Sequence, residues 1–427
     1  MEVVHTPKSV ETEYGAYCDR MFFELEEQVQ LFISGPSGSV RIYIEKARGD
    51  YEFEIIGSFD LAIQPQRTDN DPAVRGCGWE LNHSVRLDSR FHQGYYRIRI
   101  EGSVFQFLPV TFIIGNSNSN AEVIVLAPVT TWTAYNEWGG KSVYKNYLEN
   151  KDVYELSTQR PNDALTYHGQ ENTHDMPVEI NIFRWFEEHF STNLLPDYYL
   201  ELHPELFDKA KVIVLAYHAE YFSRVMYENL REVVNAKKSL IGLGANQIYW
   251  KVRWKDDFTS LSCRKNMTFF SNPLEMGGRW AYSTNPEGAF LGSRFTNTGM
   301  STYAPYRVTD PAHWLFKGIT VKQGQLFGER GINALPICGD ETDKRSLFAD
   351  NTEVIAKGLN PKQSECAYDK YDGSARWDGK GGGELTLTMK SETHAILNTG
   401  AIQSGAGLGN DPVFTQVIQN FVERFLG

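Results

Sequence analysis

The sequence predicts an α/β protein that carries an all-β portion ahead of it: a β-sandwich domain over residues 1–115, then an α/β domain over 121–427 with a parallel sheet and irregular C-terminal insertions. Three observations predict this. Short alternating apolar runs broken by turn clusters fill 13–114, the pattern of a sandwich. Gly115-Asn-Ser-Asn-Ser-Asn120 is a polar linker, the composition expected at a domain boundary. After 121 continuous apolar runs alternate with helical stretches, the pattern of parallel strands with helical crossovers. A chain of 427 residues also exceeds one ordinary core, so two or three domains are expected.

Taken in order, Val29–Ile33, Val40–Ile44, Tyr95–Ile100 and Val110–Ile114 read as strands, parted by turn clusters such as Ser34-Gly-Pro-Ser-Gly38 and Arg48-Gly-Asp50. Val123–Leu126, Lys211–Ala216 and Leu240–Gly244 read as buried parallel strands. Such strands are apolar throughout because both faces are covered. Pro177–Phe190 and Ser223–Ala236 read as helices, the first with Ile180, Phe183, Trp185 and Phe186 on one stripe. Residues 255–385 read as irregular and rich in Gly, Asn and aromatics, a length without regular structure that is usually functional. Glu384–Met389 and Thr393–Thr399 then read as strands and Pro412–Leu426 as a helix. No internal repeat is found.

Composition narrows the function. A hydrophobic content of 41% with 22% charged residues fits a soluble globular chain. The net charge of −12 argues against nucleic-acid or anionic-membrane partners, which need a basic face. Cys18, Cys77, Cys263, Cys338 and Cys366 are scattered with no CxxC pair, which reads as free thiols in a reducing, cytoplasmic setting. No signal peptide and no membrane span are expected.

The candidate chemistry sits at strand ends, where α/β proteins place ligands. After Val123–Leu126 the chain breaks at Pro128 into a run holding Trp132, Tyr135, Asn136, Glu137, Trp138 and Gly139-Gly140. The second strand ends in His218-Ala-Glu220, with Ser223 placed to cap the next helix. Glu220 could alternatively complement that helix's dipole. The third ends in Gly242-Leu-Gly-Ala-Asn246. Adjacent parallel strands lie ~4.8 Å apart, so such loops can converge on one crevice. Familiar sites are absent: no dinucleotide fingerprint, P-loop, GxSxG elbow or HExxH is found. Tyr, Glu and His leave a metal site open, and carboxylate with phenolate suits a hard cation such as Fe(III). His168 and His174 read as solvated loop residues, His189 as an exposed helix end, and Trp250 and Trp254 as packing.

Together the strings Thr133-Ala-Tyr-Asn-Glu-Trp-Gly-Gly-Lys-Ser-Val-Tyr144, Arg160-Pro161, His218-Ala-Glu-Tyr-Phe-Ser223 and Leu243-Gly-Ala-Asn-Gln-Ile-Tyr-Trp250 resemble the large subunit of N,N-dimethylformamidase and its relatives. The family pattern is roughly AYNxWGGKSxY, RP, HxEYWS and GGNxxYW. Gly76-Cys-Gly-Trp79 and Gly94-Tyr-Tyr96 resemble the domain that precedes these motifs, and the resemblance runs from about residue 13 to 427. It implies a glutamine-amidotransferase-like α/β domain and a mononuclear iron held by two tyrosines and a glutamate. Matched by motif, the ligands would be Tyr135, Glu220 and, from the β-domain, Tyr96 or its neighbour Tyr95. Strand alternation allows only one of that adjacent pair. His218 and Asn246 match pocket positions, and Glu341, in Gly339-Asp-Glu341-Thr-Asp343, matches a further family glutamate. Phe222 stands where the family usually has Trp. The family's extra N-terminal β-domain and small helical partner subunit have no counterpart in these motifs.

The expected activity is iron-dependent hydrolysis of an amide C–N bond to a carboxylic acid and an amine, by Lewis-acid activation of the carbonyl or of water. His218 or Glu341 would serve as general base and Asn246 as oxyanion donor. The expected partner is a small-molecule amide, with a homo-oligomer or helical small subunit open. The competing readings are a non-catalytic ligand-binding relative and another iron-dependent reaction, lyase or oxidative, on an N-containing molecule.

Overall fold

A computed structural model describes residues 13–49, 51–144, 153–167, 174–255, 257–270, 275–296, 299–349, 351–361 and 382–427. Cys366 and His168 lie outside the described residues. With 37% of residues in strands and 21% in helices, the class is mixed α/β. The chain divides into two compact units. Unit 1 gathers Met1–Asn116, Val129–Asp175 and Val252–Gly277; unit 2 gathers Ser117–Pro128, Met176–Lys251 and Gly278–Gly427.

In unit 1 the period-2 pattern does what it predicts. Along Gln28–Ser34, Val29, Leu31 and Ile33 are buried while Gln28 and Gln30 face water. This strand sits between Gly15–Cys18 and His83–Arg86, antiparallel to both. A five-stranded sheet runs Phe22–Glu24, Val110–Gly115, Gly94–Glu101, Gly38–Gly49, Glu52–Ile63. Both sheets feed one core, in which Ala16, Leu31 and Ile33 meet Ile42, Ile98 and Phe112. Each such large side chain contributes roughly 1.5–3 kcal/mol on burial. Glu52–Ile63 went unseen in the sequence because it is an edge strand with mostly exposed, partly charged faces.

The rest of unit 1 departs from the expected loop. Val129–Tyr135 is a short helix with Trp132 fully buried. Glu155–Ser157 pairs with Ser260–Cys263, which also pairs with Val252, Arg253 and Trp254.

Unit 2 is built on a nine-stranded sheet. Thr192–Pro196, Val123–Ala127, Val212–Tyr217, Ser239–Gly244 and Ala395–Asn398 run parallel in that spatial order. Glu384–Met389, Thr352–Gly358, Tyr306–Val308 and Leu326–Phe327 extend the sheet antiparallel. The parallel sheet expected from the sequence is present as five of the nine strands. The region expected to be irregular supplies three of the four added strands.

In chain order the parallel half reads 2-1-3-4-5, a doubly wound order whose reversal lies between the Val123–Ala127 and Val212–Tyr217 strands. The helix Arg224–Asn235 is capped by Ser223, whose hydroxyl accepts from the Met226 N–H at 3.0 Å. Pro412–Leu426 begins on Asp411, whose carboxylate accepts from the Phe414 N–H at 2.8 Å. Among the described residues no helix is long and apolar enough to cross a membrane. Cys18, Cys77, Cys263 and Cys338 are buried and form no disulfide among the described residues.

Candidate functional site

Of the residues expected from the sequence, His218, Glu220, Asn246 and Glu341 come together in unit 2. Tyr96 and Tyr135 lie in unit 1. The unit 2 cluster forms because two strand ends are forced close. Gly244 closes the Ser239–Gly244 strand where the Tyr217 carbonyl would collide with any Cβ, so only glycine fits there. Around the cluster four non-glycine residues adopt left-handed backbone: Tyr217 at φ 53°, Asn246 at φ 53°, Ile248 at φ 55° and Asp340 at φ 69°. Such residues cost of order 1–3 kcal/mol each and persist only where surrounding structure over-determines them. Here the Ile248 N–H donates to Ala219 O at 2.8 Å and the Tyr249 N–H to Glu220 O at 2.7 Å. Those bonds pin the His218–Glu220 segment to the Asn246 turn.

The side chains then connect. His218 Nε2 lies 3.3 Å from Glu220 Oε2, and its Nδ1 lies 3.2 Å from Ala245 O. Asn246 Nδ2 donates to Glu341 Oε2 at 2.8 Å and to Glu220 Oε1 at 3.3 Å. The Asn246 backbone N–H donates to Asp343 Oδ1 at 2.8 Å. Asp343 is a member the sequence reading passed over; it was legible only as the last residue of Gly339-Asp-Glu341-Thr-Asp343. His218, Glu220, Asn246 and Asp343 are buried, and Glu341 is partly exposed.

Three carboxylates and one imidazole in such a space perturb one another. Burial works against a charged His218, but the hydrogen bond and charge of Glu220, with Glu341 behind it, prevail and push it up to about 9. Both ring nitrogens face acceptors, so the protonated imidazolium suits both. Burial pushes the Glu341 carboxyl upward, the nearby Glu220 charge adds to this, and the His218 charge opposes it. Burial likewise pushes Asp343 up to about 7 against the Asn246 N–H bond.

Two expectations meet a different geometry. Asn246 was expected to donate to an oxyanion, but its amide N–H groups are committed to Glu341 and Glu220. Its Oδ1 is buried and has no hydrogen-bond partner among the described residues. His218 was one of two expected bases, but neither nitrogen presents a lone pair while both face acceptors.

In unit 1, Tyr96 lies in the β core, stacked on Phe112 at 5.4 Å. Its hydroxyl donates to His92 O at 2.8 Å and receives the His92 N–H at 3.0 Å. This occupies the hydroxyl on which its expected role as a ligand rests. Tyr95 points to the opposite face, its ring 6.4 Å from that of Trp132. Tyr135 ends the Val129–Tyr135 helix, and its hydroxyl receives that of Tyr144 at 3.2 Å. Lys265 Nζ lies 3.1 Å over the Tyr144 ring.

The turn after Tyr135 is held by Arg160-Pro161, a motif with no role assigned from sequence. The Arg160 guanidinium is buried and donates to Ser157 O at 3.0 Å, Asn136 O at 3.0 Å, Lys141 O at 3.2 Å and Trp138 O. Asn136 Nδ2 donates to Pro161 O at 2.8 Å. Gly139 at φ 84° and Gly140 at φ 83° make the turn, and a Cβ on Gly139 would press on the Ala73 N. His174, expected in a solvated loop, is buried and accepts the Trp132 indole N–H at 3.2 Å.

Among the described residues no group of three or more His, Cys, Asp or Glu side chains is arranged to hold a metal ion. The set implied by the resemblance is one carboxylate and two phenols. Glu220 and Tyr135 suit a hard cation by donor type, whereas the Tyr96 hydroxyl is already engaged.

Comparison with curated proteins returns no match. Among solved structures, a β-glucosidase from Listeria innocua in complex with gluconolactone shows 10% identity and a TM-score of 0.14, over 25% of this chain and 16% of that chain. So slight a likeness, to a chain of which only about a sixth is covered, bears on neither fold nor activity. A family model described as N,N-dimethylformamidase beta subunit-like, C-terminal, matches residues 56–416. That span is well over half of the chain, so the chain belongs to the N,N-dimethylformamidase beta subunit-like family.

Proposed function

We propose that the chain is an amidohydrolase that cleaves an amide C–N bond with water, giving a carboxylic acid and an amine. The family match supports the reaction class. The observation that carries the site is the cluster that His218, Glu220 and Asn246, buried at the carboxyl ends of parallel strands, form with the partly exposed Glu341. In this reading Glu341 is the general base. Burial raises its carboxyl toward the range where protons are exchanged at neutral pH, and Oε2 is oriented by Asn246. Oε1 takes the proton of the attacking water and returns it to the leaving nitrogen. His218, protonated between Ala245 O and Glu220, holds Glu220 in place and offsets its charge.

An iron ion, expected from the resemblance, is part of the proposal. Glu220, Tyr135 and Tyr96, or its neighbour Tyr95, are the ligands that the resemblance implies. Lewis-acid polarisation of the amide carbonyl or of water is what iron would supply when bound. The glutamine-amidotransferase-like description of unit 2 belongs to the same proposal, and the 2-1-3-4-5 strand order supports it.

The test is metal analysis of the purified chain together with a screen of amides scored by amine release under anaerobic conditions. Stoichiometric iron, a visible band altered in Tyr135→Phe, and equimolar acid and amine are expected. Absence of iron with an unchanged spectrum in Tyr135→Phe would sink the metal assignment. Amine release that requires oxygen would sink hydrolysis.

A further inference from the structure

Unit 1 holds a cavity that the proposed reaction does not use. It is lined by residues of the Gly15–Cys18 strand, of the Val110–Gly115 strand and of the segment 158–162. All of its lining residues belong to unit 1. Its volume is about 400 Å³ with the open mouth counted. Pro109 and Val110 give it apolar surface, and Arg160 and Asn162 bring nitrogen donors.

Arg160 is 1% exposed, and its guanidinium carries five N–H donors. Four of them meet carbonyls: Nε that of Ser157, Nη1 those of Trp138 and Lys141, and Nη2 that of Asn136. One Nη2 hydrogen is left without an acceptor among the described residues. The charge itself is also unpaired among them. Asp163 and Asp71 act on it only from a distance. Asp71 binds Lys141 Nζ at 2.7 Å, and Asp163 Oδ1 accepts the Glu137 and Trp138 N–H groups at 2.7 Å and 3.1 Å. Arg20, which also lines the cavity, is paired with Asp19 and Glu27. Carbonyl dipoles solvate a buried cation only in part, and a charge held there without a counter-ion is costly. Asn162 adds a second open donor. Its Oδ1 accepts the Ala164 N–H at 2.9 Å, while Nδ2 reaches Trp132 O at 3.4 Å with one hydrogen only.

We propose that this cavity binds a small carboxylate, of the size of acetate or formate, as the counter-ion of Arg160. One carboxylate oxygen takes the open Nη2 hydrogen of Arg160 and the other takes the second Nδ2 hydrogen of Asn162. Both are charge-assisted bonds, the stronger kind. One unbalanced positive charge suits a monoanion, and Pro109 and Val110 suit its hydrogen or methyl end. Occupancy has a structural consequence. Arg160 ties together the carbonyls of the turn after Tyr135, so an anion that offsets its charge stabilises that turn by mass action.

The experiment titrates sodium acetate, sodium formate and, at matched ionic strength, sodium chloride into the purified full chain. Binding is read by calorimetry and by melting temperature. A carboxylate is expected to bind one-to-one with a Kd of about 1–10 mM, since three or four heavy atoms support little more. The melting temperature should rise and level off over the same range, and chloride should do neither. Asn162→Ala, checked for folding by its melt, should weaken binding by about 5- to 20-fold. Arg160→Lys, which keeps a charge but loses the fork, should abolish measurable binding. Should the lysine variant not fold, Asn162→Ala and the chloride control decide. Binding of equal strength in Asn162→Ala, or an equal effect of chloride, overturns the proposal. So does the absence of saturable binding up to ~100 mM, ten times the weakest Kd expected, with water then completing Arg160. None of these readings depends on turnover of an amide.

Discussion

Replacing Arg160 by methionine removes the one side chain that ties together the carbonyls of Asn136, Trp138, Lys141 and Ser157. Methionine keeps the apolar volume of the stem and loses every donor. Burial pushes the guanidinium down to about 10, so it is still charged at neutral pH. A hydrogen bond from a charged donor contributes ~1.5–3 kcal/mol, and a buried carbonyl left without one costs ~1–3 kcal/mol. Four bonds taken naively would exceed ~6 kcal/mol, but two terms reduce this. Methionine escapes the cost of holding a charge in the interior, and a turn carrying Gly139 and Gly140 can relax to let water in. The expected net loss is ~2–4 kcal/mol, in line with breaking a buried charged network by removing one partner. The assay is urea unfolding followed by tryptophan fluorescence, since Trp132 and Trp138 report on this region. With a slope of ~2 kcal/mol/M the unit 1 midpoint should fall by ~1–2 M. Arg160→Lys, which keeps the charge but not the planar fork, should fall between methionine and wild type. A methionine variant within ~0.5 kcal/mol of wild type would refute the idea that Arg160 holds the turn after Tyr135.

Other expectations follow from the same geometry. Gly244→Ala should destabilise unit 2 by more than the ~1 kcal/mol of an ordinary point substitution, because the new Cβ meets the Tyr217 carbonyl; a thermal melt unchanged from wild type would contradict that crowding. Glu45 lies in a buried ion-pair set with Arg97 at 2.7 Å and Arg99 at 2.8 Å. Burial alone would raise its carboxyl, but the hydrogen bonds from Arg99 and Arg97 outweigh burial and hold it below the usual carboxylate range. Its folded pKa is depressed, so its contribution is present above the unfolded value of ~4.3 and is lost as pH falls through the folded value. Glu45→Gln should therefore be less stable than wild type at pH 7, with the gap closing in acid; a gap constant down to pH 2–3 would show that charge is not the cause. Tyr96→Phe should cost stability through its lost bonds to the His92 backbone while leaving any iron band unshifted, and a shifted band would return Tyr96 to the ligand set.

The parallel strands were legible because burial on both faces leaves an unmistakable composition: Val123–Ala127 and Val212–Tyr217 are apolar nearly throughout. Strands that end in charged or strained residues were legible only as places. The sequence located His218, Glu220 and Asn246 by strand ends, and Glu341 by motif. It could not say that Asn246 turns its amino group toward two carboxylates, because that depends on a left-handed backbone and on Glu341, which is 95 positions away. Asp343 was hidden for the same reason, since its partner is the Asn246 backbone. The edge strand Glu52–Ile63 lacks the apolar period because one neighbour is missing, whereas Tyr306–Val308 alternates but is too short, at three residues, for the period to show. Arg160 was visible as a motif but not as a clamp: its partners are all backbone carbonyls, which leave no trace in residue identity.

The central claim is tested most directly by following amine release from an amide the screen finds to be turned over, with wild-type chain and Glu341→Gln, both shown to be folded and equally metal-loaded. Glutamine keeps the shape and can still accept from Asn246, but it cannot take a proton from water. The account predicts equimolar acid and amine from wild type, and a drop in kcat of about 10²-fold or more in the variant with KM little changed. Amide turnover by Glu341→Gln at the wild-type rate would contradict it.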